Sequence, residues 1–479
     1  VESIRTFRTF CPERNTKNEI VIECSSSQEI EEALNSAHLS RHFWENKSIQ
    51  LRVDFLLAIR GQLIQDQSEI QYFYCLESGL SVSRFEVEFT RTLFQLEHFA
   101  NFLQTNFSRI TAQTEKQDYN FPTLYKHLCP IGPVVVLGSS NFPLAYSTIG
   151  GDSVAAIAAG CPVIVKAHPF HALTSIKVAS AVKKVAEKLE LPNGVFTHLL
   201  DDGYSLATQL VTDERVKGVG FTGSIQGGRA IFDLANRRLS PIPVFAEMGS
   251  SNPVVINFTE WKESKKYAEL LAHSITNDAG QFCTKPGLIF LPNSNGGSEF
   301  IEQLIHQISN CSNFFMLHPS ILANFEKNKE IKLQTDKVQL VVEKSSELSM
   351  QGNITLATCD ARTFLNHENL QEEVFGPFAL IIRYEDDLEL EKCLSKLHGQ
   401  LTGTILTDLK SDQIKSKDWF QMLKDKVGRL ILNGVPTGVS VHLAMNHGGP
   451  YPATTDSRFT AVGASSIYRF LKNITFQNW

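Results

Sequence analysis

Nowhere in this 479-residue chain are two cysteines spaced CxxC, and the nine it has lie far apart, at 11, 24, 75, 129, 161, 283, 311, 359 and 393. An odd, scattered set argues against a zinc ribbon, a redox dithiol or a secreted disulfide framework, so a reducing compartment is expected and no resident metal. Long apolar runs are missing too: nothing approaches the roughly 20 residues of a membrane helix. The first residues lack the basic-then-apolar order of a signal peptide, which gives the expectation of a cytoplasmic protein without membrane partners. Nor does one sign of charge prevail. Forty-five Lys and Arg against 51 Asp and Glu leave a net charge of −6, which speaks against a nucleic-acid partner. Internal repeats and low-complexity tracts are absent. What is there is ordinary globular material, 42% hydrophobic, in a chain long enough for about three units or two larger lobes.

The chain changes character near Pro130. Before it, Ser25 to Ser27 and the acidic run that follows read as a helix cap. Leu, Ile and Phe then recur at three- and four-residue intervals from Ile30 to Leu103, as amphipathic helices require. After it come short β-branched runs bounded by Gly and Pro: Pro133 to Gly138, Pro162 to Lys166, Val195 to Leu199, Val216 to Phe221 and Pro243 to Glu247. Helical patterns separate them, which implies βαβ units and a buried parallel sheet. A second alternating block begins at 251, with strands expected at Gly287 to Leu291, Val338 to Val342, Ala379 to Ile382, Thr404 to Thr407 and Arg429 to Leu432. The polar segment Ser108 to Asn120 and the end Tyr468 to Trp479 fit neither block and read as an arm, an exposed strand pair able to extend a partner's sheet.

Among the residues with chemistry, Cys283 stands out because Gly280-Gln281-Phe282-Cys283-Thr284 is polar and glycine-containing, unlike the settings of Cys161 or Cys393. A thiol attacks as thiolate, so an accessible, polar setting suits a nucleophile, although most cysteines are small buried hydrophobes. Glu247 ends the run Val244-Phe245-Ala246, where open α/β sheets place ligands, and a carboxylate there could serve as general base or simply be solvated. Asn141 follows another strand; its amide could steady an oxyanion, or it could be a turn residue before Phe-Pro. Gly223 and Ser224 belong to a glycine-rich turn between strand and helix that could meet a diphosphate. Its spacing is not GxGxxG. Lys166 ends its strand within reach of a ribose or phosphate, or of solvent.

In their order, SSNFP, VIVKAHP, GFTGS, FAEMGSSNP, GQFCT and EEVFGPF resemble the aldehyde dehydrogenase superfamily over essentially the whole chain. Glu77, Arg84 and Arg91 look like that family's helical region. Asn433 to Val439, His447 to Arg458 and Ile467 to Phe470 are similar to the 2-oxoglutarate semialdehyde (2,5-dioxopentanoate) dehydrogenases and to the long-chain aldehyde dehydrogenase of luminous bacteria. The resemblance implies an α/β fold: a Rossmann-like cofactor domain (1–108, 129–250 and 440–460), an α/β catalytic domain (251–439) and a small β oligomerisation arm (109–128 and 461–479). It implies Cys283 as nucleophile, Glu247 as general base and Asn141 as oxyanion donor. Lys166, His168, Gly223, Ser224, Glu373 and Phe375 would contact the cofactor.

The expected reaction takes a small-molecule aldehyde to a carboxylate through a thioester, with 2-oxoglutarate semialdehyde as first choice and a long-chain aldehyde as the alternative. Pro169 stands where many NAD-preferring relatives carry glutamate, so NADP is expected, with NAD usable and Arg229 and Lys166 as phosphate partners. Arg458 is the cation within the subfamily segment that could pair with a substrate carboxylate. Phe142, Phe282 and Phe459 could line the pocket. The resemblance further implies a homodimer or homotetramer. Two rivals from other classes are a catalytically silent structural homologue and a cofactor-free cysteine hydrolase; the second predicts ester cleavage and no aldehyde oxidation.

Overall fold

The computed structural model describes residues 5–113 and 122–479. Four helices, Ser27–Asn46, Ile49–Gln65, Gln67–Ser78 and Val82–Thr105, fill the region read as helical. Ser26 caps the first in a reciprocal capping box with Glu29, and Ser48 and Ser81 cap the second and fourth. Each cap satisfies an amide that the helix leaves unpaired. Phe85, Phe89, Leu96, Phe99 and Leu103 recur on one face of the fourth helix and are buried with Trp44, Phe55 and Tyr74 against the sheet residues Val134, Val136, Val163 and Val165. Burial of each such large side chain contributes about 1.5–3 kcal/mol.

The first sheet has five parallel strands in the order Val244–Glu247, Gly218–Thr222, Val134–Leu137, Val163–Lys166, Phe196–Leu199. The chain starts at the centre, winds out to one edge, then returns to build the other. This puts a topological switch between Val134–Leu137 and Gly218–Thr222, the position where open α/β sheets leave a ligand crevice at their carboxyl ends. All five strands lie where the hydrophobic runs put them. The second sheet has seven strands in the order Gln339–Lys344, Ile354–Asp360, Phe378–Tyr384, Leu288–Pro292, Val254–Asn257, Gln400–Thr407, Val427–Leu432, parallel except for the first pair. Two of these, Val254–Asn257 and Ile354–Asp360, were not anticipated. The first follows Val244–Glu247 after only six residues, with no helix between them, and Thr, Ala and Cys dilute the apolar signal of the second.

The arm differs from the expected strand pair by one strand. Leu471–Gln477, Leu124–Pro130 and Ile110–Gln113 form an antiparallel three-stranded sheet, and Ile110–Gln113 is exposed along its whole length. The part of the expected arm at 114–121 lies outside the described residues. Two short hairpin-like pairs near the N-terminus, Thr6–Phe7 with Ile22–Glu23 and Phe10–Cys11 with Thr16–Lys17, also went unforeseen, being too short for a periodic signal.

Candidate active site

Three strand ends of the first sheet deliver polar groups to one crevice: Asn141 after Val134–Leu137, Gly223 and Ser224 after Gly218–Thr222, and Glu247 at the end of Val244–Glu247. The second sheet faces them with the loop that carries Cys283. That loop is reached through three successive residues in the left-handed region, Asp278 (φ 46°), Ala279 (φ 56°) and Gly280 (φ 63°). Only glycine fits the last: a Cβ there would lie 2.5 Å from the Gly376 carbonyl oxygen. A side chain holds Asp278 against its strain, and Ala279 beside it is buried. Arg84 Nε donates to Asp278 Oδ2 (2.7 Å), and its Nη1 donates to Glu88 Oε2 (3.0 Å). Tyr74 also donates to Glu88 (2.7 Å), whose other oxygen accepts from the Leu144 and Ala145 amides. The helix Val82–Thr105 thus braces both the nucleophile loop and the Asn141 loop.

Asn141 Nδ2 donates to the Gln281 carbonyl (2.8 Å), two residues from Cys283. Asn252, buried with φ 46°, donates to the carbonyls of Cys283 (2.8 Å) and Lys285 (3.0 Å) and fixes the loop from below. Phe142 and Phe282 meet edge to face at 5.5 Å, and Phe142 meets Tyr146 at 5.1 Å, forming an aromatic wall. Phe459 is not part of it: that ring packs on Phe245 (5.4 Å), behind the edge strand.

His447 is the residue that the sequence reading missed. The segment 440–460 runs beside the strand Val244–Glu247: Met248 donates to the Ala453 carbonyl (2.8 Å), Ala246 to Thr455 Oγ1 (2.9 Å), and Glu247 bridges Thr454. This carries His447 into the site, 1% exposed beside a Glu247 that is 3% exposed. Its Nε2 lies 3.6 Å from Cys283 Sγ and 2.7 Å from Glu247 Oε1. The ring is aimed at sulfur; its approach to Glu247 is close without hydrogen-bond alignment, and neither carboxylate oxygen has a hydrogen-bond partner. A cavity of about 20 Å³, room for about one water, lies behind Glu247 and His447, lined further by Phe245, Phe459 and Arg469 and not by Cys283. His447 was legible only as one letter of a subfamily segment, because it stands 164 residues from the nucleophile.

Burial pushes the Cys283 thiol well above its ordinary value, the Glu247 and Glu373 carboxylates push it further, and Arg91 opposes them. The residue is partly exposed, so a small reagent can reach it, yet the protein crowded around it governs its acidity. Iodoacetamide alkylation of the Cys283 peptide is therefore expected to be slow at neutral pH, with a midpoint above the ~8.5 of a free cysteine. Glu247→Gln lowers that midpoint by removing a negative neighbour. Mass spectrometry across pH reads both, and a wild-type midpoint at or below the free value would contradict this electrostatic picture.

The groups assigned to a cofactor fall into two kinds. Lys166, Gly223 and Ser224 lie at the carboxyl ends of first-sheet strands, and Glu373 packs against Gly249, two residues beyond Glu247. Ser224 caps the helix Ile225–Asn236, accepting from the Gly227 amide (3.1 Å), and that N-terminus suits a phosphate. Glu373 Oε1 is buried without a partner, and a Cβ on Gly249 would collide with Oε2. Two buried lysines pin the loop bearing Glu373 and Phe375. Lys332 Nζ donates to the carbonyls of Leu370 and Glu372 (2.6 Å each), and Lys285 Nζ to those of Val374 (3.1 Å) and Phe378 (2.7 Å). Burial pulls Lys332 down to about 7.

Other expected contacts are engaged elsewhere. His168 Nδ1 accepts from the Phe170 amide (3.2 Å) and its ring stacks on His171; burial holds it well below the usual histidine value, so it is no cation for a phosphate. Arg229 is spent on Asp233 (2.9 Å) and Tyr451 (3.3 Å). Arg458 does not enter the pocket: it is 80% exposed, with Nε and Nη2 on Asp456 (2.8 and 2.6 Å). The cations acting on Cys283 are Arg91 and Arg429. The charge argument from Pro169 also changes, since the fold brings Asp201 and Asp202 near Lys166 from the end of the neighbouring strand, partly balanced by Arg5.

Comparison with known proteins agrees with this architecture. The model of the aldehyde dehydrogenase family matches residues 1–451. An alpha-ketoglutaric semialdehyde dehydrogenase of Acinetobacter baylyi is 38% identical over 457 residues, covering 94% of this chain and 86% of that protein. Alpha-ketoglutaric semialdehyde dehydrogenase 2 of Azospirillum brasilense is 35% identical, covering 100% of this chain and 92% of its own length. Among solved structures, the fold matches a glyceraldehyde-3-phosphate dehydrogenase from Methanocaldococcus jannaschii complexed with NADP, with a TM-score of 0.85 at 19% identity, over 100% of this chain and 99% of that one.

Proposed function

The chain belongs to the aldehyde dehydrogenase family, and on that premise we propose that it oxidises 2-oxoglutarate semialdehyde to 2-oxoglutarate through a thioester on Cys283, with NADP or NAD as acceptor. The observation that carries this reading is the meeting of Cys283, His447 and Glu247 at a crevice also edged by Asn141. The Sγ proton passes to His447, which lies at 3.6 Å, because the thiol's raised affinity for its proton leaves little thiolate at neutral pH. Thiolate then attacks the aldehyde carbon, and the developing oxyanion draws Asn141 Nδ2 away from the Gln281 carbonyl. The dinucleotide, when bound, supplies the hydride acceptor. Glu247, with His447 beside it, then takes a proton from water; the hydroxide adds to the thioester carbon and the thiolate leaves.

The unpartnered Glu373 Oε1, the helix N-terminus at Ser224 and Lys166 at its strand end fit a dinucleotide: a ribose, the diphosphate and the adenosine ribose respectively. His168, which the resemblance also pointed to, supports the turn after Lys166 instead. The cofactor lobe then comprises 1–108, 129–250 and 440–460, the catalytic lobe 251–439.

For the substrate carboxylate, Arg91 and Arg429 replace Arg458. Arg91 donates to Tyr146 (3.0 Å) and to the Val439 carbonyl, and Arg429 donates to the carbonyls of Gly438 (3.1 Å) and Pro436 (2.5 Å). The Nε of each is buried with no partner, leaving two donors for an anion. The names of the two relatives above favour this acidic semialdehyde over the long-chain alternative. No helix among the described residues is long and apolar enough to cross a membrane, and free thiols throughout suit the cytoplasm. The strand Ile110–Gln113, exposed along its length among the described residues, is the edge we assign to a homodimer or homotetramer.

A panel of 2-oxoglutarate semialdehyde, succinate semialdehyde, glutaraldehyde and a long-chain aldehyde, each with NAD and NADP, tests the reading. The expected result is the highest kcat/KM with the first. Arg429→Met is expected to raise its KM about 10-fold or more while changing glutaraldehyde little, as loss of a charge-assisted bond of about 1.5–3 kcal/mol implies. A preference for the long chain would overturn the assignment. Ester cleavage without aldehyde oxidation would favour the hydrolase reading, and neither activity the silent homologue.

A further inference from the structure

We infer that Glu247, Cys283 and His447 also constitute a binding site for a soft divalent cation, zinc foremost, and that zinc bound there shuts the nucleophile off. One sulfur, one imidazole nitrogen and one carboxylate oxygen all lie within 4.8 Å of one another. Thiolate, imidazole and carboxylate are the three ligand types zinc takes, at about 2.3, 2.0–2.1 and 2.0–2.2 Å, so tetrahedral geometry separates sulfur from nitrogen by about 3.5 Å. The observed Sγ to Nε2 distance is 3.6 Å. The same geometry asks about 3.4 Å between nitrogen and oxygen, where Oε1 now stands at 2.7 Å. The carboxylate must therefore withdraw by about 0.7 Å. That movement gives up the 2.7 Å approach to His447 and the contact with the Cys283 thiol, and bonds from all three groups to the metal replace them.

Charge favours occupancy as well. Thiolate and carboxylate together balance a dication exactly where they otherwise repel one another. Binding is a ligand exchange without electron transfer: the S–H bond breaks, an S–Zn bond forms, and the thiol proton leaves to solvent. Magnesium and calcium, which need six or more oxygens, find one carboxylate here. Zinc would engage the sulfur lone pair, the imidazole nitrogen and the carboxylate together, leaving no nucleophile and no base.

Ligand binding rests on these three side chains alone; only the inhibition rests on the reaction proposed above. The test uses the full-length chain freed of metal by chelation. Titration with cobalt(II) is expected to give a thiolate-to-metal charge-transfer band at one equivalent. Zinc is expected to displace cobalt and to slow iodoacetamide alkylation of the Cys283 peptide at least 10-fold, reversibly with EDTA, whereas magnesium does neither. His447→Ala is expected to weaken cobalt binding at least 10-fold, and Cys283→Ala to abolish the band. A band that persists in Cys283→Ala and vanishes in Cys24→Ala would place the metal at the other such group among the described residues, Cys24 with Asp201 and Asp202, and overturn the proposal. So would the lack of any band, or zinc that leaves alkylation unchanged. Neither readout needs aldehyde or dinucleotide, so zinc binding here without aldehyde oxidation would sink the reaction and spare the metal site.

Discussion

Glu247→Gln is expected to give a burst of about one reduced dinucleotide per site and then almost stop, with the steady-state rate down about 10²–10⁴-fold. In the proposed cycle the first half needs Sγ deprotonated and the oxyanion held, tasks we assign to His447 and Asn141. The second half needs a base for water, and the Glu247 carboxylate, which stands with His447 beside Cys283, is the group we assign to it. Glutamine has the same shape and cannot take the proton, so the thioester accumulates. Acid-quenched protein analysed by mass should carry the acyl group on the Cys283 peptide. A burst lost to the same degree as in Cys283→Ala would show that Glu247 acts before acylation.

His447→Ala is expected to do the opposite: burst and steady state both fall, by about 10²–10⁴-fold at neutral pH. Without the imidazole at 3.6 Å, acylation depends on the thiolate already present. Burial and two carboxylates raise the thiol's value, so below it the thiolate fraction grows tenfold per pH unit. The variant's acylation rate is therefore expected to climb with that slope, and its deficit against wild type to narrow as pH rises. A pH-independent deficit would assign His447 to packing. Stopped-flow absorbance of the reduced dinucleotide, from neutral to alkaline pH, separates the two.

Much of this was legible beforehand, for a physical reason. Strands buried on both faces must be written as continuous apolar runs, so VVVL, VIVK and VFAE announced themselves, and the polar residues that end two of them (Lys166, Glu247) or follow the third (Asn141) lie at the carboxyl ends of the sheet. Glu247 and Asn141 were singled out on that ground, Cys283 on its polar, glycine-containing setting, and all three by the family resemblance. His447 and Asn252 did not, since their roles arise from partners 164 and 31 residues away. Arg458 misled because its segment was right and its side chain's direction could not be read: Asp456, two residues back, claims the guanidinium. Asp201 and Asp202 qualify the cofactor argument in the same way, as spatial neighbours of Lys166 that no local window contains.

The turn at Asp278 to Gly280 owes its unusual backbone to a guanidinium 194 residues upstream. Activity and foldedness are thereby made separable. Warming that frees Arg84 from Asp278 lets the turn relax and swings the sulfur out of line while both sheets stay intact, so heat inactivation would come first and circular dichroism would register nothing until later.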